Sequence, residues 1–291
     1  MSNKLLIYNG RTFHWEILES VLNSRDVIFK NLPDSLEIHM FVENNPSFLH
    51  YMKEKYPNIH VQVNPKFQSK LDFHHFLQQY DFVIHCTLYD SQYKNIQKDS
   101  FNAYIAHDVT KRLQNYPNVF FLCPFSSSNV LTATILPYTD TLRPHPRTSI
   151  PIYVLQGNLR KRDLFTLYYI LQHTKNLSYQ LKILCKNVPD SVRQRLQPYM
   201  DKVVLCENYN FEEYHREFLN CYCIMTLLPL NASSEYYHSK LTSSINYAKA
   251  YQLKCFLDDK LQSIYQLPDA FVYDRKNIIP VFIGSIHRSR L

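Results

Sequence analysis

The stretch IYVLQGNLRKRDLFTLYYILQHT, residues 152–174, decides the fold class of this chain. It begins with a short apolar run that predicts a β-strand, and this run ends at Gly157 and Asn158, residue types that favour turns. The residues from Arg162 onward have the length and apolar content of an α-helix. A strand that leads through a turn into a helix is typical of the βαβ units from which parallel sheets are built.

The same alternation continues on both sides of this stretch through the 291 residues. Upstream strand patterns include KLLIYNG, LEIHMFVE and DFVIHCTLY, and downstream ones include YQLKILCK, DKVVLCEN and KCFLDD. Between the two series lies LPYTDTLRPHPRTSIP, whose four prolines are typical of a linker. We therefore predict an α/β fold with two Rossmann-like domains facing each other across a cleft. The predicted domains are residues 1–140 and 151–291, with a linker at 141–150.

Composition indicates which cellular compartment and which class of partner to expect. A net charge of +7 favours anionic partners such as nucleotides. The basic residues are dispersed and zinc-finger spacing is absent, which disfavours nucleic acid. The seven cysteines form no C-x-x-C pair and lie mostly in apolar runs, a pattern that indicates a reducing compartment. No apolar run approaches the ~20 residues that span a bilayer, so we expect a cytoplasmic protein without a membrane span.

A candidate phosphate site lies in EYYHSKLTSSINYAKAY, residues 235–251. Ligands of parallel α/β sheets bind beyond the carboxyl ends of the strands, near helix N-termini, and this stretch follows the strand pattern CIMTLLP. Its apolar spacing predicts a helix with Ser239 as the N-cap. We predict that Lys240, Thr242 and Ser243, near the first turn, bind a diphosphate. A well-capped helix with a solvated face is the alternative.

Two residues at the start of the same stretch are predicted to bind the sugar and base of a nucleotide. A carboxylate accepts hydrogen bonds from ribose hydroxyls, so Glu235 is the candidate ribose ligand. Tyr237, or its neighbour Tyr236, supplies an aromatic ring that packs against a base or a sugar.

The opening stretch contributes a second group of candidate phosphate ligands. Gly157 permits close approach of the backbone to a ligand. Arg160 and Arg162 add positive charge near a helix start, where it suits a pyrophosphate. A solvated, basic helix start explains these residues equally well.

The candidate catalytic residues follow strands of the first half. In YNGRTFHWEILESV, Thr12 is the predicted N-cap, which places His14 and Glu16 in the first helical turn, at the end of the first strand. A histidine or a glutamate there can take a proton from a hydroxyl. Asp108, in YIAHDVTKRL, ends another strand and is the next candidate. The alternative interpretation is that all three side chains only cap a helix or interact favourably with its dipole. No compelling metal-ligand spacing is present, so no metal site is predicted.

These features together resemble the GT-B glycosyltransferases. The two Rossmann-like domains, the proline-rich linker and the phosphate-binding helix in the second domain carry the resemblance, which covers nearly the whole chain. Two local motifs, FHWEILESV and EYYHSKLTSSINYAKAYQLKCFLDDKLQSIY, further resemble the small capsid-glycan glycosyltransferases of chloroviruses and other large DNA viruses, including xylosyltransferase-like enzymes. The chain departs from the GT-B pattern in its scarcity of glycine, since Gly10 and Gly157 are its only loop glycines.

The resemblance implies a specific reaction. A nucleotide-sugar donor, with UDP-sugars favoured and xylose as a candidate sugar, binds the second domain, and a carbohydrate acceptor binds the first. It implies no cofactor and no metal ion, and an inverting transfer with a base at His14 or Glu16. A viral enzyme of this kind would act in the host cytoplasm. A nucleotide-sugar epimerase, a phosphorylase and a non-enzymatic basic binding protein are the alternatives, because a fold alone does not determine the reaction.

Overall fold

The strand–helix alternation folds into two parallel six-stranded sheets. A computed structural model describes residues 3–11, 14, 17–33, 35–122, 125–126, 129–131, 150–229 and 235–289. By their contacts these residues form two units. The first contains the described residues up to Leu131 together with Ser239–Leu241, and the second contains the remaining described residues from Ile150 onward. The predicted linker lies, except for Ile150, outside the described residues.

The first sheet has the strand order β3-β2-β1-β4-β5-β6. Its strands are β1 (Asn3–Tyr8), β2 (Leu36–Val42), β3 (His60–Val63), β4 (Phe82–Leu88), β5 (Asn102–Ala106) and β6 (Val119–Phe121). Its helices are α1 (Leu18–Asn23), α2 (Arg25–Ile28), α3 (Pro46–Lys55) and α4 (Lys70–Leu77). The central strand β1 is fully buried at Leu5, Leu6 and Ile7, as expected for a parallel strand covered on both faces.

The second sheet repeats this order as β12-β11-β10-β7-β8-β9. Its strands are β7 (Ile152–Gln156), β8 (Gln180–Cys185), β9 (Val203–Glu207), β10 (Cys223–Met225), β11 (Lys254–Asp258) and β12 (Ala270–Tyr273). Its helices are α5 (Leu164–His173), α6 (Asp190–Leu196), α7 (Phe211–Leu219), α8 (Ser243–Ala250), α9 (Asp259–Tyr265) and α10 (Ile278–Arg288). Tyr153, Val154 and Leu155 of the central strand are fully buried. The predicted α/β fold with two Rossmann-like sheets is confirmed.

Two predicted helix starts are wrong. The helix after β1 begins at Leu18, so His14 precedes it and has a left-handed backbone with φ of 63°. Helix α8 begins at Ser243 with Thr242 as its N-cap, so Ser239 does not cap it and Lys240 lies outside its first turn. In both places the helix begins later than predicted, because polar residues that suit an N-cap also suit a loop.

Candidate functional site

The second sheet changes winding direction between β7 and β10, which are neighbours in space although they are separated in the chain. In doubly wound sheets, ligands bind outside the carboxyl ends of the strands at such a switch point. Here the two strand ends are Gln156 and Thr226, both buried.

Arg162 joins these two strand ends. Its Nε and Nη2 donate to the Gln156 carbonyl oxygen at 3.0 and 2.5 Å, and its Nη1 donates to the Thr226 carbonyl oxygen at 3.0 Å. Nη2 also donates to Ser244 Oγ at 3.3 Å. The planar, fork-shaped guanidinium is therefore fixed at the switch point by main-chain acceptors.

The charge of Arg162 has no carboxylate within ion-pair distance among the described residues. The side chain is half-buried, and this burial lowers the pKa of the guanidinium below its ordinary value. Desolvation disfavours the charged form unless an anion compensates it. An arginine keeps its charge in proteins, so the arrangement leaves a net positive charge at the carboxyl ends of β7 and β10.

A polar network next to Arg162 positions the start of α8. The side-chain Nε2 of Gln156 donates to Ser243 Oγ and to Ser244 Oγ, both at 2.9 Å. Its side-chain Oε1 accepts a hydrogen bond from the Tyr214 hydroxyl at 2.8 Å. Thr242, at the N-cap, makes no side-chain capping bond. The first N–H groups of the helix and its positive dipole end are thus offered to an anion rather than to a capping side chain.

The turn between β7 and Arg162 has room for glycine only. Gly157 adopts a φ of 100°, and an added Cβ would lie 2.9 Å from Arg162 Nη2. The side chain of Arg160 is exposed, and its main-chain N–H donates to Asn158 Oδ1 at 3.0 Å. Arg162 and Gly157 therefore lie at the switch point as expected, whereas Arg160 lies on the solvent side of the turn.

Glu235 lies close to this turn, because Lys161 Nζ donates to its Oε1 at 2.9 Å. Both side chains remain more than 40% exposed, which leaves the carboxylate accessible to a ligand hydroxyl. Tyr237 differs from the expectation, since its ring is buried and its hydroxyl donates to Asp258 Oδ2 at 3.0 Å. An aromatic contact to a ligand is therefore assigned more readily to Tyr236, whose ring lies 5.7 Å from Lys161 Nζ.

The first unit brings His14 and His107 together at the carboxyl end of its sheet. The two imidazole rings are stacked, with centroids 3.8 Å apart and planes inclined by 26°. Burial, followed by the nearby His14, lowers the pKa of His107 to about 3, so this ring is neutral. His107 Nε2 lies 3.3 Å from the Cys86 carbonyl oxygen, which fixes the buried ring beneath the less buried His14.

Asp108 follows His107 and pairs with Lys240. Lys240 Nζ lies 3.3 Å from Asp108 Oδ1, and the two residues form an antiparallel bridge. The main-chain N–H of Val109 donates to the Ser239 carbonyl oxygen at 2.8 Å. Lys240 therefore belongs to the first unit, beside the candidate catalytic histidine. Its predicted place in the first turn of the phosphate-binding helix is wrong, because this pairing keeps the segment before α8 extended.

Of the residues predicted around His14, Glu16 lies outside the described residues. The polar residues Gln156 and Thr226 were not predicted, although each interrupts or ends an apolar run, IYVLQ and CIMT, where a strand meets its loop. A polar residue at that place was the available signal for a strand-end ligand site.

A cavity of about 440 Å³ opens in the first unit beside the carboxyl ends of β1 and β4. Its walls are largely aromatic and basic, with contributions from Tyr8, Arg11, Phe67, Lys70, Phe73 and Tyr104. His85 and Thr87 of β4 also line it. Cavities with aromatic walls and a few polar or charged groups suit small ligands that combine apolar faces with hydroxyls.

No known family model matches this sequence, and no curated protein is significantly similar to it. Solved structures match it over nearly its whole length. A glycosyltransferase from Rickettsia africae ESF-5 has a TM-score of 0.60 at 9% identity, covering 99% of this chain and 88% of that one. A glycosyltransferase involved in avilamycin A biosynthesis has a TM-score of 0.58 at 8% identity, covering 100% and 92%.

An epimerase is also similar in structure. The UDP-GlcNAc 2-epimerase from Neisseria meningitidis, solved with UDP-GlcNAc, has a TM-score of 0.54 at 10% identity, covering 99% of this chain and 93% of that one. At these identities the similarity shows the fold alone, which is the α/β fold of GT-B glycosyltransferases.

Within the described part of the chain, none of the helices is both long and apolar enough to cross a membrane.

Proposed function

We propose that this protein is a glycosyltransferase that moves a sugar from a nucleoside diphosphate donor to a hydroxyl of a carbohydrate acceptor. The observation that carries the proposal is Arg162, a half-buried cation at the switch point with no carboxylate partner among the described residues. A diphosphate would supply the missing negative charge. The structural similarity to glycosyltransferases supports the same reading.

The donor would bind the second unit. Its diphosphate would lie between Arg162 and the N-terminus of α8, where the Ser243 and Ser244 hydroxyls are held by Gln156. The ribose would bind Glu235, with Lys161 beside it. The guanidinium and the helix dipole would stabilise the leaving diphosphate, a role that a divalent cation plays in other transferases, so the reaction is proposed to need no metal. UDP is the favoured carrier, and xylose is a candidate sugar.

The acceptor would bind the first unit, in the aromatic cavity beside β1 and β4. His14 is the proposed base, because it follows β1 at the carboxyl end of the sheet and its partly exposed ring stacks on the neutral His107. Deprotonation of the acceptor hydroxyl by such a base fits an inverting transfer. Glu16 is the other candidate base, and Asp108, engaged by Lys240, is the third.

The donor site is tested by calorimetric titration with UDP. Arg162→Gln should weaken UDP binding by about 10- to 100-fold, the value of one or two charged hydrogen bonds. Arg162→Lys keeps the charge but loses the fork-shaped guanidinium, so its UDP affinity should lie between those of the wild type and Arg162→Gln. Arg195→Gln is the matched control, because this arginine of α6 is exposed and lies over Tyr168. Equal UDP affinity in the wild type and in a folded Arg162→Gln variant would refute the donor site.

Lys240 gives a second comparison within the same titration. The sequence pattern assigns it to the diphosphate, whereas its ammonium group pairs with Asp108. If the pairing persists in solution, Lys240→Gln should change UDP affinity less than about threefold. A loss as large as that of Arg162→Gln would instead support the assignment from sequence.

The epimerase reading is a second candidate, supported by the similarity to the Neisseria enzyme. Incubation with UDP-GlcNAc in the absence of any acceptor separates the two. An epimerase converts the nucleotide sugar and retains UDP on it, whereas a transferase releases UDP by transfer or slow hydrolysis. NMR of the nucleotide-sugar products distinguishes these results.

A further inference from the structure

Three side chains with metal-binding chemistry meet at the amino ends of β2 and β3, in the first sheet. His39 and His60 are directly paired across the two parallel strands. Glu37 precedes His39 by two residues, so the two side chains project from the same face of β2. Strand register therefore gathers three residues that lie as far as 23 positions apart in the sequence.

The ligand atoms already lie near the spacing that a tetrahedral ion requires. Glu37 Oε1 lies 2.7 Å from His39 Nε2 and 3.7 Å from His60 Nε2. One ligand atom from each of the three residues lies within 4.8 Å of the other two. Ligands at the usual distance from a tetrahedral Zn²⁺ are about 3.3 Å apart, so shifts of less than about 1 Å or a side-chain rotation would seat an ion.

The surroundings suit an ion that keeps one position open. The His39 and His60 rings are stacked with centroids 4.8 Å apart, and Tyr80 packs edge-on against His39 at 5.3 Å. Lys4 Nζ lies 3.8 Å from Oε2 of Glu37, so Oε1 remains on the histidine side. The His60 side chain is 56% exposed and leaves room for a water ligand.

We propose that Glu37, His39 and His60 bind one Zn²⁺ ion that ties β3 to β2. Two imidazoles and one carboxylate form a ligand set that Zn²⁺ accepts, with water as the fourth ligand. The edge strand β3 has four residues, of which only Val61 is buried, so little apolar packing holds it in place. The site lies at the amino ends of β2 and β3, whereas His14 lies at the carboxyl end of the same sheet. The ion would therefore stabilise the pairing of β3 with β2 and take no part in sugar transfer.

The test is calorimetric titration of chelator-treated protein with Zn²⁺, using full-length variants. His60→Ala should lower Zn²⁺ affinity by at least about 100-fold, since removing even a residue that only hydrogen-bonds to a metal ligand costs 10- to 100-fold. His50→Ala is the matched control, because His50 and Glu54 form an exposed pair at 3.3 Å for which the described residues provide no third ligand. It should bind Zn²⁺ as the wild type does.

Thermal unfolding provides the second measurement. Zn²⁺ should raise the Tm of the wild type and of His50→Ala, and leave that of His60→Ala unchanged, because an ion that binds the folded state stabilises it. The metal-free Tm of all three proteins should agree, since His60 is mostly exposed. Stoichiometric binding that survives His60→Ala, or that is lost equally in His50→Ala, would overturn the proposal, as would the absence of one-to-one binding in the wild type.

Discussion

The two sheets have the same strand order, yet their switch points carry different chemistry. In the first sheet, the ends of β1 and β4 are joined by uncharged groups, with Thr87 Oγ1 donating to Asn9 Oδ1 at 3.2 Å. In the second sheet, the ends of β7 and β10 are joined by the guanidinium of Arg162. The same topological position therefore holds a neutral contact in one unit and a cation in the other.

This difference fits the proposal that the two units bind different ligands. Main-chain geometry creates a crevice at each switch point, whereas the side chain that bridges the strand ends determines the charge offered there. The first crevice adjoins an aromatic cavity that also has Arg11 and Lys70 in its walls and that suits a hydroxyl-rich molecule. The second offers a guanidinium and a helix N-terminus, which suit a diphosphate. Variants at matching positions of the two units test this division.

The largest expected effect separates chemistry in the first unit from binding in the second. His14→Ala should lower the rate of sugar transfer by about 100- to 10,000-fold, the usual contribution of a general base. UDP affinity should stay within about twofold, because the proposed donor contacts lie in the other unit. Steady-state kinetics and calorimetry on the same preparation measure both. If His14→Ala and Glu16→Gln each retain near-normal turnover, the base lies elsewhere, with Asp108 next.

Acid should destabilise the first unit more steeply than the second. Burial lowers the pKa of His85 to about 4 and of His107 to about 3 in the first unit, and that of His215 to about 3 in the second. A folded-state pKa below the unfolded value of about 6.5 means that unfolding takes up protons. This stability is complete above pH ~6.5 and is lost as the pH falls toward the folded-state pKa.

Each of these histidines contributes a slope of at most about 1.4 kcal/mol per pH unit, so between pH 6 and 5 the first unit should lose about 2.4 kcal/mol of stability and the second about 1.2 kcal/mol. Hydrogen exchange of peptides from β5 and α7, corrected for intrinsic rates, measures the two slopes. Earlier opening of the α7 peptides would contradict the comparison. Burial raises the pKa of the Asp258 carboxyl in the second unit. The folded second unit therefore binds this proton more readily than the unfolded chain, which makes that unit less sensitive to acid and widens the difference between the units.

The glycines after the two first strands should respond differently to alanine. At Gly157, positive φ and a Cβ 2.9 Å from Arg162 should cost about 1–3 kcal/mol of stability and weaken UDP binding. At Gly10, φ is not positive, and the Cβ would meet the hydroxyl and two ring carbons of Tyr8 at 2.9–3.2 Å, so the cost should be the smaller of the two. Thermal melts of the two variants with and without UDP make the comparison. A larger loss at Gly10 would show that the first switch point is the more constrained.

The smallest effect concerns Glu235. Glu235→Gln should weaken UDP binding by about tenfold, the value of one charged hydrogen bond, while inorganic pyrophosphate binds as before. Its Tm should not change, because exposed ion pairs such as Lys161–Glu235 contribute about 0–1 kcal/mol. Glu212→Gln, in an exposed pair with Arg216, is the control. Equal losses for UDP and pyrophosphate would move Glu235 from the ribose to the phosphates.

The sequence predicts the sheets well because strand and helix periods are local properties. Apolar runs such as KLLIY and IYVLQ form the buried central strands. Strand β12 and helix α10 were not predicted; β12 has only four residues, and α10 follows the turn residues after it. A short run of this kind is difficult to distinguish from a loop without its neighbour, and the partner of β12 is β11.

Site residues are predicted less well because their positions depend on distant partners. Arg162 and Gly157 lie at the switch point because they directly follow a strand, so local sequence was enough. Lys240 pairs with Asp108, and no local sequence pattern around either residue predicts this contact. Likewise, the left-handed backbone of His14 and its stacking on His107 depend on packing between β1 and β5 loops that no local pattern encodes.

The three residues Ser239–Leu241 make the first unit dependent on late synthesis. Its last strand, β6, ends at Phe121, whereas the partner of Asp108 is Lys240. At ribosomal rates of about 5–20 residues per second, that partner emerges on the order of ten seconds after the sheet itself. Until then the main-chain N–H of Val109 lacks its Ser239 acceptor and must bond to water instead. The first unit is thus completed only after a large part of the second unit has been synthesised.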